Sequence, residues 1–190
     1  LKGQFEANEK ELAVLEEQKN ARVGNLGEMF GVVRQVANDF ASTLNNSMIS
    51  AEYPGRVAFA TNLAQSKALP SITDLERFWF ELQREMTETG KVVNFKTTVV
   101  APDGSPTEAM VTRIGPFSAT TGDRYLNYMP SQEKFAIMAR QPGDKFQKPA
   151  GELAKADAGH VPGMIDPTRG NMLSIYAQRP TFVERLEQGE

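Results

Sequence analysis

Apolar positions along residues 1–47 recur with a helical rhythm. A heptad frame runs through Phe5, Leu12, Lys19, Leu26, Val33 and Phe40 at one core position. It runs through Asn8, Leu15, Arg22, Met29, Val36 and Thr43 at the other. Apolar residues hold the frame towards both ends, and Lys19 and Arg22 break it in the middle. The pattern predicts a long, coiled-coil-like or amphipathic helix that enters a packed head. Its apolar stripe is expected along Leu26, Met29, Phe30, Val33, Val36, Ala37, Phe40 and Leu44. Gly24, Gly27 and Gly31 lie off that stripe, on a flank shared with Asn38, Ser42 and Asn45. Each interior glycine costs a helix roughly 1 kcal/mol relative to alanine. This smooth flank is read as a face for close backbone approach, or as a bend.

The rhythm is interrupted by "SAEYPGR" (50–56), where Tyr53 precedes Pro54 and Gly55 completes a turn. A short helix is predicted over 57–65. A clearer one follows over 72–89, opened by a capping box of Ser71 and Asp74 and stopped by Gly90. Its buried face is expected to be Ile72, Leu75, Phe78, Trp79, Leu82 and Met86. Phe80 points off that stripe and is the first aromatic to test as a contact if it is exposed.

The period then shortens to two over about 91–140. "KVVNFKTTVVA" and "TEAMVTRIGPF" read as strands joined at "PDGS", where Pro102 and Gly104 suit a turn. "SATTGD" reads as a second turn. "RYLNYMP" and "KFAIMARQ" form a second hairpin around "SQE". A short polar helix is expected around Glu152–Ala156. Asp166 followed by Pro167 suits a helix start, so 167–176 is read as helical, with a strand over Met172–Tyr176 as the alternative. "PTFVERLEQGE" closes the chain as an amphipathic turn or two of helix. The fold class is therefore α+β: a long N-terminal coiled-coil-like helix, a helical hairpin, a four-stranded antiparallel β-meander and short C-terminal helices. The organisation is a helical stalk, 1–47, and an α+β head, 48–190.

Composition narrows the chemistry. The chain has 190 residues and a net charge of −3, with no dominant basic patch, so nucleic acid is an unfavoured partner. With no cysteine and a single histidine, His160, thiolate metal sites, disulfides and a cysteine nucleophile are excluded, and no cofactor is expected. Phosphate-loop, dinucleotide and G-x-S-x-G patterns are missing. "DPTRG" (166–170) is the most site-like loop. Arg169 there can clamp a carboxylate, or it can pair locally with Asp166. The residues by themselves give no sign of catalysis.

"GNLGEMFGVVRQVA" (24–37), "SAEYPGR" (50–56), "ALPSITDLERFWFELQREMTETGKVV" (68–93), "RIGPFSA" (113–119) and "IDPTRG" (165–170) together resemble a known region. It is the extracytoplasmic part of the long ExbB-type proteins in the MotA/TolQ/ExbB proton-channel family. The resemblance covers nearly the whole chain. It implies a periplasmic domain of an inner-membrane protein, with a signal peptide and further coiled coil before residue 1 and a transmembrane helix soon after residue 190. It also implies ExbB-, ExbD- and TonB-like partners, a homo-oligomeric full-length protein, and a part in energising outer-membrane import of iron chelates. No ion-path residue is carried over, because such residues lie in channel helices outside this chain. Candidate interaction residues are Gly24, Gly27, Gly31, Phe80 and Arg169. Alternative readings are a soluble coiled-coil adaptor or chaperone, and a cell-wall hydrolase using two carboxylates.

Overall fold

A computed structural model describes residues 2–179; within the first helix, the surroundings of Lys2, Glu6, Ala7 and residues 20–26 are not described. Helix α1 runs Lys2–Asn45, 44 residues, or about 66 Å at 1.5 Å per residue. Its C-terminal third enters the head. Ala37, Phe40, Ala41 and Leu44 are buried there against Ala60 and Leu63 of α2 (Arg56–Gln65) and Phe78 of α3 (Ile72–Thr89). Phe40 and Phe78 meet edge-on with ring centroids 5.8 Å apart, a geometry that aromatic quadrupoles favour. The buried stripe is rotated from the expected one. Val33 is only partly buried, while Met29 and Val36 face solvent.

A 3-10 turn, Met48–Ala51, links α1 to the loop before α2 and sends Met48 and Ala51 into a second core. That core fills a closed five-stranded barrel of β1 (Val92–Val100), β2 (Pro106–Ile114), β3 (Ser118–Thr121), β4 (Arg124–Met129) and β5 (Lys134–Ile137). Val99, Val111, Ala119, Leu126 and Phe135 point inside. Neighbouring strands pair antiparallel, with β1 and β2 in register from Val92↔Ile114 to Val100↔Pro106. The barrel closes by a parallel contact, Val99↔Phe135 and Val100↔Ala136.

The expected fold class is corrected here. The sheet is a closed, mixed, five-stranded barrel rather than a four-stranded antiparallel meander. "SATT" forms β3 rather than a turn. Its buried residues, Ser118, Ala119 and Thr120, are small or hydroxylated and give no hydrophobic alternation to detect. The closing β1–β5 pair joins segments far apart in sequence, which no local pattern encodes. The long helix is not part of a coiled coil within the chain either: Phe5, Leu12 and Leu15 on its first half, and Met29 beyond it, stay exposed.

The remaining helices pack on the barrel. Helix α4 runs Asp144–Lys155, beginning well before the expected Glu152. Helix α5 is Asn171–Ala177, four residues shorter at its start than the helix expected over 167–176. Arg169 and Gly170 hold φ of 58° and 95°, left-handed values that end any helix begun at Pro167. Tyr125, Met138, Ala150, Leu173 and Ala177 make the third core between these helices and the barrel. Gly115 of the "RIGPF" stretch has φ 51°, and a Cβ there would sit 2.4 Å from the Thr89 carbonyl oxygen. Only glycine fits where the end of α3 crosses the turn after β2. The segment "PTFVERLEQGE" lies outside the described residues.

Candidate functional site

Helix α3 is rotated from its expected orientation. The capping box is present, with the Ser71 hydroxyl accepting from Asp74 N–H and the Asp74 carboxylate accepting from Ser71 N–H. Past the first turn, however, the buried face is Phe78, Glu81, Glu85 and Glu88. Ile72, Trp79 and Met86 were expected in the core, yet they are 77 %, 62 % and 60 % exposed. Leu75 and Leu82 are only partly buried.

Two buried arginines cause this rotation. Arg113 on β2 is fully enclosed and uses all five guanidinium N–H groups. Nε donates to Glu52 Oε2 (3.1 Å), Nη2 to Glu52 Oε2 (2.6 Å) and Glu88 Oε2 (3.0 Å), and Nη1 to the carbonyls of Glu88 (3.1 Å) and Gly115 (3.0 Å). Lys91 donates to the other oxygen of Glu88 at 2.7 Å. Arg56, at the start of α2, is also enclosed. Its Nη2 donates to Glu85 Oε2 (2.5 Å), and its Nε lies 3.4 Å from Glu81 Oε2. Glu85 Oε1 accepts from the Ser47 hydroxyl (2.6 Å). An enclosed guanidinium without a counter-charge is strongly destabilising. The three glutamates therefore dictate which side of α3 faces inward, and the apolar stripe opposite them is left outward. Burial alone would raise the Glu88 carboxyl, but Lys91 and Arg113 outweigh it and hold it below the usual carboxylate range.

Phe80 lies beside this stripe, about half exposed, with Arg84 stacked over its ring at 4.5 Å. The same guanidinium covers Tyr53 at 4.6 Å and is paired with Glu81. Ile72, Trp79 and Met86 are spaced by sevens along one line of the helix, with Phe80 at its margin.

The other sequence candidates sit elsewhere. Gly27 and Gly31 have open space where a Cβ would point, so nothing described packs closely on the smooth flank at these two positions. Gly24 lies outside the residues whose surroundings are described. Arg169 does not pair with Asp166. The Asp166 carboxylate is filled by Thr168 N–H (2.8 Å), Thr168 Oγ1 (2.6 Å) and Leu173 N–H (2.9 Å). Burial works to raise the Asp166 carboxyl, and these donors overcome it and lower it. Arg169 instead donates from Nη1 to the Asn46 carbonyl (3.2 Å), at the rim of an open pocket of about 440 Å³. Asn46, Met48, Tyr128, Pro130, Thr168 and Asn171 line the rest of it. Burial pushes the Tyr128 phenol up to about 12, so it is a neutral wall at ordinary pH.

Sequence reasoning missed Arg56, Arg113 and their glutamates. A signal was available: Glu81, Glu85 and Glu88 follow i, i+4, i+7 spacing, the same periodicity as a core stripe. His160 is exposed in a loop. Among the described residues no group of three or more His, Asp or Glu side chains gathers as a metal site, and no helix is long and apolar enough to cross a membrane. No family model, curated protein or solved structure matches the chain.

Proposed function

We propose that this chain is an interaction module: a stalk helix carrying a barrel-based head that docks other proteins through the outer face of α3. The carrying observation is the uncovered line of Ile72, Trp79 and Met86, locked outward by buried ion pairs. Large apolar side chains in a contiguous exposed line are costly in water, and such patches mark contact surfaces. Trp and Tyr are the residue types that dominate binding energy at such surfaces. Together with the sequence resemblance, this supports a periplasmic docking domain of an inner-membrane proton-channel subunit, of the long ExbB, TtpC-like type. Such a domain works with ExbB-, ExbD- and TonB-like partners to energise outer-membrane transport. The exposed apolar positions on the first half of α1 fit a stalk that packs beside other helices in an assembly held close by a common membrane anchor.

The test is a double variant, Trp79→Ser with Met86→Ser. Both side chains already face solvent, so the thermal midpoint of the isolated chain is expected to stay within about 2 °C of the parent. In cells that depend on the corresponding transport system, growth on an iron chelate is expected to fall. So is photo-crosslinking to the channel partners from a probe placed at Gln83, an exposed position between the two. Undiminished growth and crosslinking with a correctly folded variant would remove α3 as the docking face.

A further inference from the structure

We infer that the Arg169 pocket is a binding site for a carboxylate group. This rests on the pocket's own geometry and holds whether or not α3 docks a partner. The Arg169 guanidinium stands at the rim, where Nη1 donates to the Asn46 carbonyl. It forms no ion pair with a described carboxylate. Its natural partner, Asp166, has its oxygens occupied by the turn and by the first residues of α5. The remaining guanidinium donors are planar and fixed in a fork, the geometry that a carboxylate accepts with both oxygens.

The surroundings complete the fit. Asn171, which carries a side-chain amide, lines the pocket together with Arg169. Met48 and Tyr128 also line the pocket and offer some carbon surface to the chain behind a carboxyl group. The cavity, about 440 Å³, holds a small organic acid or the last residues of a peptide, and not a large cofactor. The loop is held in place from both sides, because Asp166 N–H donates to Ser118 Oγ of β3 (3.2 Å) and its carboxylate ties down Leu173. The guanidinium therefore sits on a fixed base rather than at the tip of a free loop.

The experiment is an NMR titration of the full chain with acetate, succinate and a tetra-alanine peptide carrying either a free or an amidated C-terminus, against sodium chloride at matched ionic strength. Saturable shifts are expected at residues 168–171 and at the Arg169 side-chain N–H for the carboxylates and not for chloride. Arg169→Gly keeps the left-handed backbone and is expected to abolish them. Arg169→Lys retains the charge, loses the fork, and is expected to weaken binding several-fold. Stronger binding by acetate and succinate than by the peptide assigns a free acid. Stronger binding by the free-terminus peptide assigns a protein C-terminus. No saturable shift up to about 50 mM, well above a Kd of about 1 mM, would overturn the site. So would an unchanged response in Arg169→Gly, or equal binding of all carboxylates and chloride.

Discussion

Arg113 shows how one residue can govern a whole surface. Its five donors bind the 3-10 turn region through Glu52, the end of α3 through Glu88, and its own strand turn through the Gly115 carbonyl. Removing it leaves Glu52 without its cation and Glu88 with Lys91 alone. Arg113→Ala is therefore expected to cost about 3–5 kcal/mol, the range for breaking one side of a buried ion pair. Urea unfolding followed by circular dichroism measures it. A loss under 1 kcal/mol would mean that the network does not hold α3. The arginine was not legible as a core residue, because "VTRIG" gives it the appearance of an exposed strand position. Only three-dimensional proximity to Glu52 and Glu88 makes its burial tolerable.

At the scale of elements, two helices depart from their amphipathic patterns in opposite ways. In α3 the apolar line is real, but it faces away from the domain because charge pairing overrides hydrophobic burial. In α1 the heptad frame is present, and its first half has no described element to pack on. Gly27 and Gly31, further along, also have open space where a Cβ would point. In the isolated chain, Gly27→Ala and Gly31→Ala are expected to stabilise α1 by about 0.8–1 kcal/mol each. Far-UV ellipticity and amide exchange along α1 would show this as a gain in helix content. If the flank serves close packing in the assembled protein, leucine at the same two positions is expected to impair transport while the isolated head folds normally. The ends of α3 were legible because caps are local: Ser71, Asp74 and Gly90 act within one turn. Its rotation was not, since rotation depends on what lies opposite.

The whole molecule combines a helical core, a barrel core and a third core under α4 and α5. The joints between them are ionic as well as apolar, which gives the fold a pH signature. Glu88, at the joint of α3 and the barrel, is held low by Lys91 and Arg113 against its burial; Asp166, at the joint of α5 and β3, is held low by the N–H and hydroxyl donors around it. A carboxyl depressed in the fold stabilises it fully above its unfolded value, near 3.9 for Asp and about 4.3 for Glu. That contribution is lost as pH falls through the lower folded value. Thermal midpoints are therefore expected to be level from about pH 7 to 5 with respect to these two groups and to drop below about pH 4. Glu88→Gln is expected to flatten the drop. An unchanged acid limb in that variant would assign the sensitivity to other carboxylates.

By itself the sequence determined the secondary elements that local forces set: a long helix with a heptad rhythm, a capped helix ending at Gly90, alternating strands, and a turn at "PDGS". It gave no role to Gly115 or Gly170, whose left-handed backbones only the fold shows. The tertiary structure alone decided that the strands close into a barrel, because the β1–β5 pair joins residues more than thirty positions apart. It decided that α3 presents tryptophan to water, because two arginines on other elements needed its glutamates. It also left Arg169 free to take a carboxylate, because Asp166 was already bound by the backbone it caps. Each of these outcomes depends on groups distant in the chain meeting in space, and periodicity along the chain carries no record of such meetings.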